Sequence, residues 1–151
     1  MDNQGCAEGI ARVIRDKDLQ NNLIENTKKT DYTNKTYKKE ADEAQLPRTR
    51  SRELMWNINK RDVENLTYFN TITCNMDRQN NAGMILYDGP KGNSYRLLTA
   101  REAFLLMGFS EEDFENVKKL GLSYRKMIKL AGNSIVVPVL EAIFKVMFEE
   151  K

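Results

Sequence analysis

The clearest alternation of apolar and polar positions lies in the last third of the chain. Thr99-Ala100-Arg101-Glu102 opens one segment, and the apolar Phe104, Leu105 and Met107 follow. Thr99 is a good helix N-cap, and Glu102 three residues on completes a capping box. Gly108 supplies a left-handed stop. Further along, Gly132-Asn133-Ser134 predicts a tight polar turn, followed by an apolar helix with Val139, Ile143 and Val146 or Met147 at helical spacing. Pro138 is tolerated only near the first turn of that helix. Backbone N–H groups at such a start attract polar or anionic ligand groups. The run 135–148 contains Glu141 and Lys145 and falls short of a membrane span, so it reads as a buried helix. Between the two segments, Ser110 caps a short acidic stretch over 111–114. Ser123 caps a helix over 124–130, whose Arg125, Lys126 and Lys129 offset the helix dipole or contact phosphate.

The earlier part of the chain divides by pattern and composition. Residues 7–25 carry Ile10, Val13, Ile14, Leu23 and Ile24 at helical spacing, which predicts a packing helix. Residues 26–45 turn to Lys, Asn, Thr, Asp and Glu and read as a polar connector or loop. Residues 46–61 are basic. Pro47 and the alternation of Arg48, Arg50 and Arg52 with Thr49 and Ser51 suit an extended strand or loop with the three arginines on one face, and Trp56 and Ile58 packed inward. Such a row is either a solvated surface or a phosphate clamp. Residues 70–75 and 83–87 alternate as strands, and the loop between them holds Arg78, Gln79, Asn80 and Asn81. Those are side chains able to read base edges with two hydrogen bonds, although polar loops are common. Residues 88–93 form a turn cluster.

Composition narrows the field modestly. A chain of 151 residues fits one ordinary domain, or a small domain with an appendage. With 24 basic and 22 acidic residues the net charge is only +2, which by itself says little about nucleic acid. Cys6 and Cys74, with no histidine, make neither a zinc site nor a disulfide scaffold, so no metal is expected. Residues 1–9 have no apolar h-region, and a reducing cytoplasm is the expected location.

Two segments together resemble the C-terminal end of a cytosine-5 DNA methyltransferase. Leu98-Thr99-Ala100-Arg101-Glu102, with Leu106-Met107-Gly108-Phe109, resembles the ninth conserved motif of that family. Gly132-Asn133-Ser134-Ile135-Val136-Val137-Pro138-Val139-Leu140-Glu141-Ala142-Ile143 resembles the tenth. Residues 76–83 resemble the end of the variable target-recognition region in some members. Ala100 stands where the family usually has proline, Ile128 where it usually has an aromatic residue, and Leu130 where it usually has a polar one.

The resemblance implies a set of roles. Thr99, Arg101 and Glu102 belong to the segment that organises the recognition region. Asn133, Ser134 and Ile135 would line the S-adenosylmethionine pocket, with Gly132 near the flipped cytosine. Arg48, Arg50, Arg52, Arg78, Gln79, Asn80 and Asn81 become candidates for contact with double-stranded DNA. The family's chemistry needs a cysteine thiolate to attack the ring and a carboxylic acid to assist at the ring nitrogen. The family keeps these in a Pro-Cys loop and a Glu-Asn-Val segment. Neither cysteine here follows a proline, and Glu115-Asn116-Val117 falls after the ninth-motif segment, where the family has no catalytic acid. No catalytic residue is therefore expected in this chain.

The resulting expectation is an α+β protein. It comprises an N-terminal helix at 1–25, a connector at 26–45, a small mixed β target-recognition region at 46–94 with flanking helices, and a C-terminal region at 95–151. Its last helix would pack on a cofactor domain that this sequence lacks. The implied function is the recognition and C-terminal portion of an S-adenosylmethionine-dependent DNA (cytosine-5-)-methyltransferase of bacterial or phage restriction–modification type. Its partner would be the catalytic half, as domain or subunit, with a homodimer contact as the other way to cover the helix. The rival expectation is a stand-alone, non-enzymatic DNA-binding or interaction module derived from such an enzyme.

Overall fold

The computed structural model describes residues 34–59, 72–74 and 85–148. Its sheet is organised by one hairpin. Strands β2 (Ile85–Gly89) and β3 (Gly92–Arg96) pair antiparallel with Gly89 opposite Gly92, leaving Pro90 and Lys91 as the turn. A connection that short permits only antiparallel pairing. Gly92 takes φ +74°, a left-handed conformation that side chains resist. The short strand β1 (Gln45–Leu46) pairs with the other edge of β3, Leu46 opposite Tyr95, giving the order β1-β3-β2. Among the described residues the sheet is antiparallel throughout, rather than mixed as expected. Gln45 clamps the turn: its Nε2 donates to the Gly92 carbonyl at 2.8 Å and its Oε1 accepts from the Lys91 N–H at 3.0 Å.

Two helices replace extended or irregular expectations. Helix α1 (Lys35–Glu43) falls within the stretch read as a polar connector. Asn34 caps it by accepting from the Thr36 N–H at 2.9 Å. Its anchoring is mostly polar, which is why the hydrophobic pattern was silent. Ala41 is buried, Glu40 pairs with Arg101, and Asp42 accepts from the Tyr87 hydroxyl at 2.7 Å. Helix α2 (Arg50–Asn59) corrects the expected arginine strand and places Trp56 and Ile58 on a helix. The Thr49 hydroxyl accepts from the Arg52 N–H at 3.3 Å, and Glu53 lies in the first turn, where the helix dipole favours an acid. Arg50 and Arg52, two residues apart on a helix, point about 200° apart rather than along one face.

After β3 the described residues carry four helices: α3 (Ala100–Leu106), α4 (Glu111–Lys118), α5 (Tyr124–Asn133) and α6 (Val137–Phe148). The predicted caps at Thr99, Ser110 and Ser123 all form, and the first two are full capping boxes. The core gathers Ile85, Leu98, Ala103, Phe104, Phe114, Met127, Ile128 and Ala131 between β2, α3, α4 and α5. Phe104 stands at its centre, with the Phe109 ring 5.4 Å and the Phe114 ring 5.6 Å away. Ile128 is buried there, so an aliphatic residue fills the position where the family usually has an aromatic one.

Under this core lies a buried ion pair. Both terminal nitrogens of Arg96 donate to the Glu102 carboxylate at 2.8 Å, with the two side chains 1% and 2% exposed. Glu102 also accepts from the Thr99 N–H at 2.8 Å, so one carboxylate closes the capping box and neutralises the strand arginine.

Helix α6 is not buried within the described chain. It contains no buried residue. Phe144 is 51% exposed, Phe148 70%, Met147 40%, and Ile135 just before the helix 61%. The stretch Tyr124–Phe148 is long and apolar enough to cross a membrane by length and composition. It is broken at 134–136 into helices of 10 and 12 residues, and α5 spends its apolar face, Met127, Ile128 and Ala131, on the core.

Candidate cofactor and interface site

Three segments meet at the junction between α5 and α6. The predicted turn at 132–134 is instead the end of a helix. Gly132 and Asn133 complete α5, and Ser134 is its extended C-cap, with φ −81° and ψ 166°. Both the N–H and the hydroxyl of Ser134 donate to the Ala131 carbonyl, at 3.1 and 2.6 Å. Gly132 is required by what lies against it. A Cβ there would fall 2.9 Å from the Cys74 nitrogen and 2.9 Å from the Thr73 carbonyl carbon. Segment 72–74 therefore packs backbone to backbone on the helix end, with Ile72 buried in the core. The Cys74 thiol donates to Asn133 Oδ1 at 3.0 Å.

The start of α6 is seated on the end of α3. Gly108 takes φ +84°, and a Cβ on it would come 2.2 Å from Pro138 Cδ. The Val137 N–H donates to the Met107 carbonyl at 2.9 Å, Pro138 has no N–H, and Val139 and Leu140 donate to the Val136 carbonyl. The donors that an incoming anion would use are thus already engaged. This corrects the expectation that the helix start offers its N–H groups to a ligand; what the junction presents is side chains.

A second cluster ties α1 to α3 and α4. Arg101 is 3% exposed on its side chain, with its guanidinium 4.4 Å from the Tyr37 ring centroid and 4.5 Å from that of Phe114. It donates to Glu40 Oε2 at 2.9 Å and to Glu40 Oε1 at 3.2 Å, and also pairs with Glu111 and Glu115. Lys118 Nζ reaches Glu40 Oε1 at 2.7 Å. Burial pushes the Glu40 pKa up, but the hydrogen bonds and charges of Arg101 and Lys118 outweigh it and hold the carboxyl below its ordinary 4.5. For Arg101, burial favours losing the proton, and the surrounding carboxylates override that and raise its pKa.

A depressed carboxylate pKa contributes stability above the unfolded value and loses it as pH falls through the folded one. Glu40→Gln should therefore lower the urea midpoint at pH 6, with the variant and wild-type curves converging as the pH drops below about 4. A constant gap between pH 6 and pH 3 would contradict the assignment.

The DNA-directed candidates are distributed unevenly. Arg48, in the loop before α2, pairs with Glu53 at 2.8 Å. Arg52 Nη1 donates to the Pro47 carbonyl at 2.9 Å, and Arg50 is exposed on the first turn. Arg78, Gln79, Asn80 and Asn81 lie outside the described residues, as does the helix expected over 7–25. Ile135 is exposed beside Ser134. Two partners escaped sequence reasoning. Cys74 is 59 residues from Asn133, and Glu40 is 61 from Arg101, with no local pattern linking either pair.

The family model described as C-5 cytosine-specific DNA methylase matches residues 7–149. The chain belongs to that family. Among its relatives, the orphan methyltransferase M.Rho11sI of Bacillus phage rho11s is 46% identical over 65 residues, 42% of this chain and 12% of that protein. The orphan methyltransferase M.SPRI of Bacillus phage SPR is 50% identical over 50 residues, 33% of this chain and 11% of that protein. The type II methyltransferase M2.ScrFI of Lactococcus lactis subsp. cremoris is 43% identical over 56 residues, 37% of this chain and 15% of that protein. The chain thus matches between 11% and 15% of the length of these three relatives. No solved structure matches it.

Proposed function

We propose that this chain is the target-recognition and C-terminal portion of an S-adenosylmethionine-dependent DNA (cytosine-5-)-methyltransferase of restriction–modification or orphan type. It would methylate only when joined to the catalytic half. The observation that carries this reading is the cluster of exposed large apolar side chains on and beside α6. Phe144, Met147 and Phe148 lie exposed on the helix, and Ile135 beside it, in a chain whose family match extends through that helix. An exposed patch of this kind marks a contact surface. Neither cysteine occupies a Pro-Cys loop, so the attacking thiolate must come from the other half.

The junction residues suit one wall of a cofactor pocket. Asn133 carries an exposed amide and Ile135 offers exposed apolar surface, with Gly132 seating residues 73–74 beside them. S-adenosylmethionine, when bound, supplies an electrophilic methyl group. The work of this chain is to complete the wall that holds it and to grip the DNA from which the target base is flipped. Ser134 contributes through its backbone position, because its hydroxyl is spent on capping α5.

On the DNA side, Arg50 is proposed as a phosphate contact, and Arg48 and Arg52 as its neighbours on the same basic segment. Arg78, Gln79, Asn80 and Asn81 are proposed to read base edges. The test is duplex binding by the chain joined to its catalytic half, titrated with salt. Arg50→Ala should weaken binding to all sequences alike and reduce the slope of log K against log salt by about one. An unchanged slope removes Arg50 from the interface. Specific binding by this chain without the catalytic half would instead favour a stand-alone binding module.

A further inference from the structure

We infer that Cys74 is a positioning residue for the cofactor wall: its thiol fixes the Asn133 amide so that Asn133 meets the cofactor as a hydrogen-bond donor. This rests on the reading that Asn133 lines the S-adenosylmethionine pocket. Two observations place the pair. Segment 72–74 lies against α5 so closely that Gly132 has no room for a Cβ, which fixes the Cys74 backbone relative to Asn133. The thiol then reaches Asn133 Oδ1 at 3.0 Å.

An Asn amide can turn over and exchange its oxygen for its nitrogen. A thiol is a weak donor and its sulfur a weak acceptor; here the S–H donates to Oδ1, so the thiol holds the carbonyl end of the amide. With Oδ1 engaged, Asn133 has its two N–H donors left for a ligand. The complementary ligand group is an acceptor, such as a carboxylate or ring-nitrogen lone pair. Without the thiol, both orientations of the amide become accessible and part of that preorganisation is lost. Cys74 itself need not touch the cofactor.

The experiment has two readouts. In the chain joined to the catalytic half, steady-state methylation is measured for Cys74→Ala, Cys74→Ser and Asn133→Ala. Cys74→Ala should raise KM for S-adenosylmethionine about fivefold, the factor carried by one neutral hydrogen bond, at unchanged kcat. Cys74→Ser keeps an O–H donor and should restore KM to within about twofold of wild type. Asn133→Ala should raise KM at least as much, and adding Cys74→Ala to it should cost nothing more. If Asn133→Ala raises KM and Cys74→Ala does not, or if serine fails to rescue, the role of Cys74 is overturned while the cofactor reading stands. If Asn133→Ala leaves KM unchanged, the cofactor reading of this wall falls, and the inference with it.

The second readout uses the chain alone and needs no activity. Cys74→Ala should shift the side-chain NH2 resonances of Asn133 in a proton–nitrogen correlation spectrum while leaving the backbone amides of α3 in place. Asn133 side-chain resonances unmoved by Cys74→Ala would overturn the thiol contact itself.

Discussion

Glu102→Gln is expected to destabilise the chain by about 3–5 kcal/mol, a loss comparable with the whole stability of a small domain. The amide keeps the shape of the carboxylate but not its charge. It removes the carboxylate charge that faces the Arg96 guanidinium, which is 1% exposed. It also puts an NH2 group where one of three donors, two from Arg96 and one from the Thr99 N–H, now finds an acceptor. Replacing both partners with apolar residues, Arg96→Met together with Glu102→Leu, should recover much of the loss, because neither charge then remains buried. Urea unfolding at neutral pH distinguishes these outcomes. A Glu102→Gln variant within about 1 kcal/mol of wild type would mean that the pair does not hold β3 to α3.

The second large effect concerns assembly rather than folding. Phe144→Asp should lower affinity for the catalytic half at least 30-fold, corresponding to about 2 kcal/mol or more for an aromatic anchor. Phe144 is 51% exposed, and its ring lies 6.1 Å from that of Phe148 on the same helix. Its replacement should therefore change the stability of the isolated chain by no more than about 0.5 kcal/mol. Isothermal titration with the separately produced catalytic half, beside thermal melting of the chain alone, separates the two quantities. Unchanged affinity would take α6 out of the interface. If Phe144→Asp instead converts a dimer of this chain to monomers without altering the mixed complex, the occupant of the face is a second copy.

What could be read from the chain was whatever is encoded locally. Thr99 with Glu102, Ser110 with Asp113 and Ser123 are caps, set by residues within one turn of each other, and all three form. Gly108 as a left-handed stop is of the same kind. The errors came where distant contacts decide. Residues 35–43 carry little apolar signal, and their helix is held by Glu40 and Asp42, whose partners lie far along the chain. Alternating arginines at 48–52 mimic a strand, but Thr49 and Glu53 favour a helix start, and the helix prevails. The apolar run at 135–148 says that a face must be covered but not by what; in α6 Phe144, Met147 and Phe148 are exposed, while Val139, Leu140 and Ile143 are half-buried. The site divides in the same way. Motif resemblance singles out residues 132–135. The seat of Gly132 on residues 73–74 and the use of the α6 N–H groups by Met107 and Val136 depend on packing that no local spacing reveals.

The most direct test of the central proposal is transfer of a labelled methyl group from S-adenosylmethionine to duplex DNA. It should be measured for this chain alone and for the chain mixed with the proposed catalytic half. The account predicts label on cytosine C5 only in the mixture. Transfer by the chain alone would contradict it, because a catalytic thiolate would then reside among residues assigned no such role.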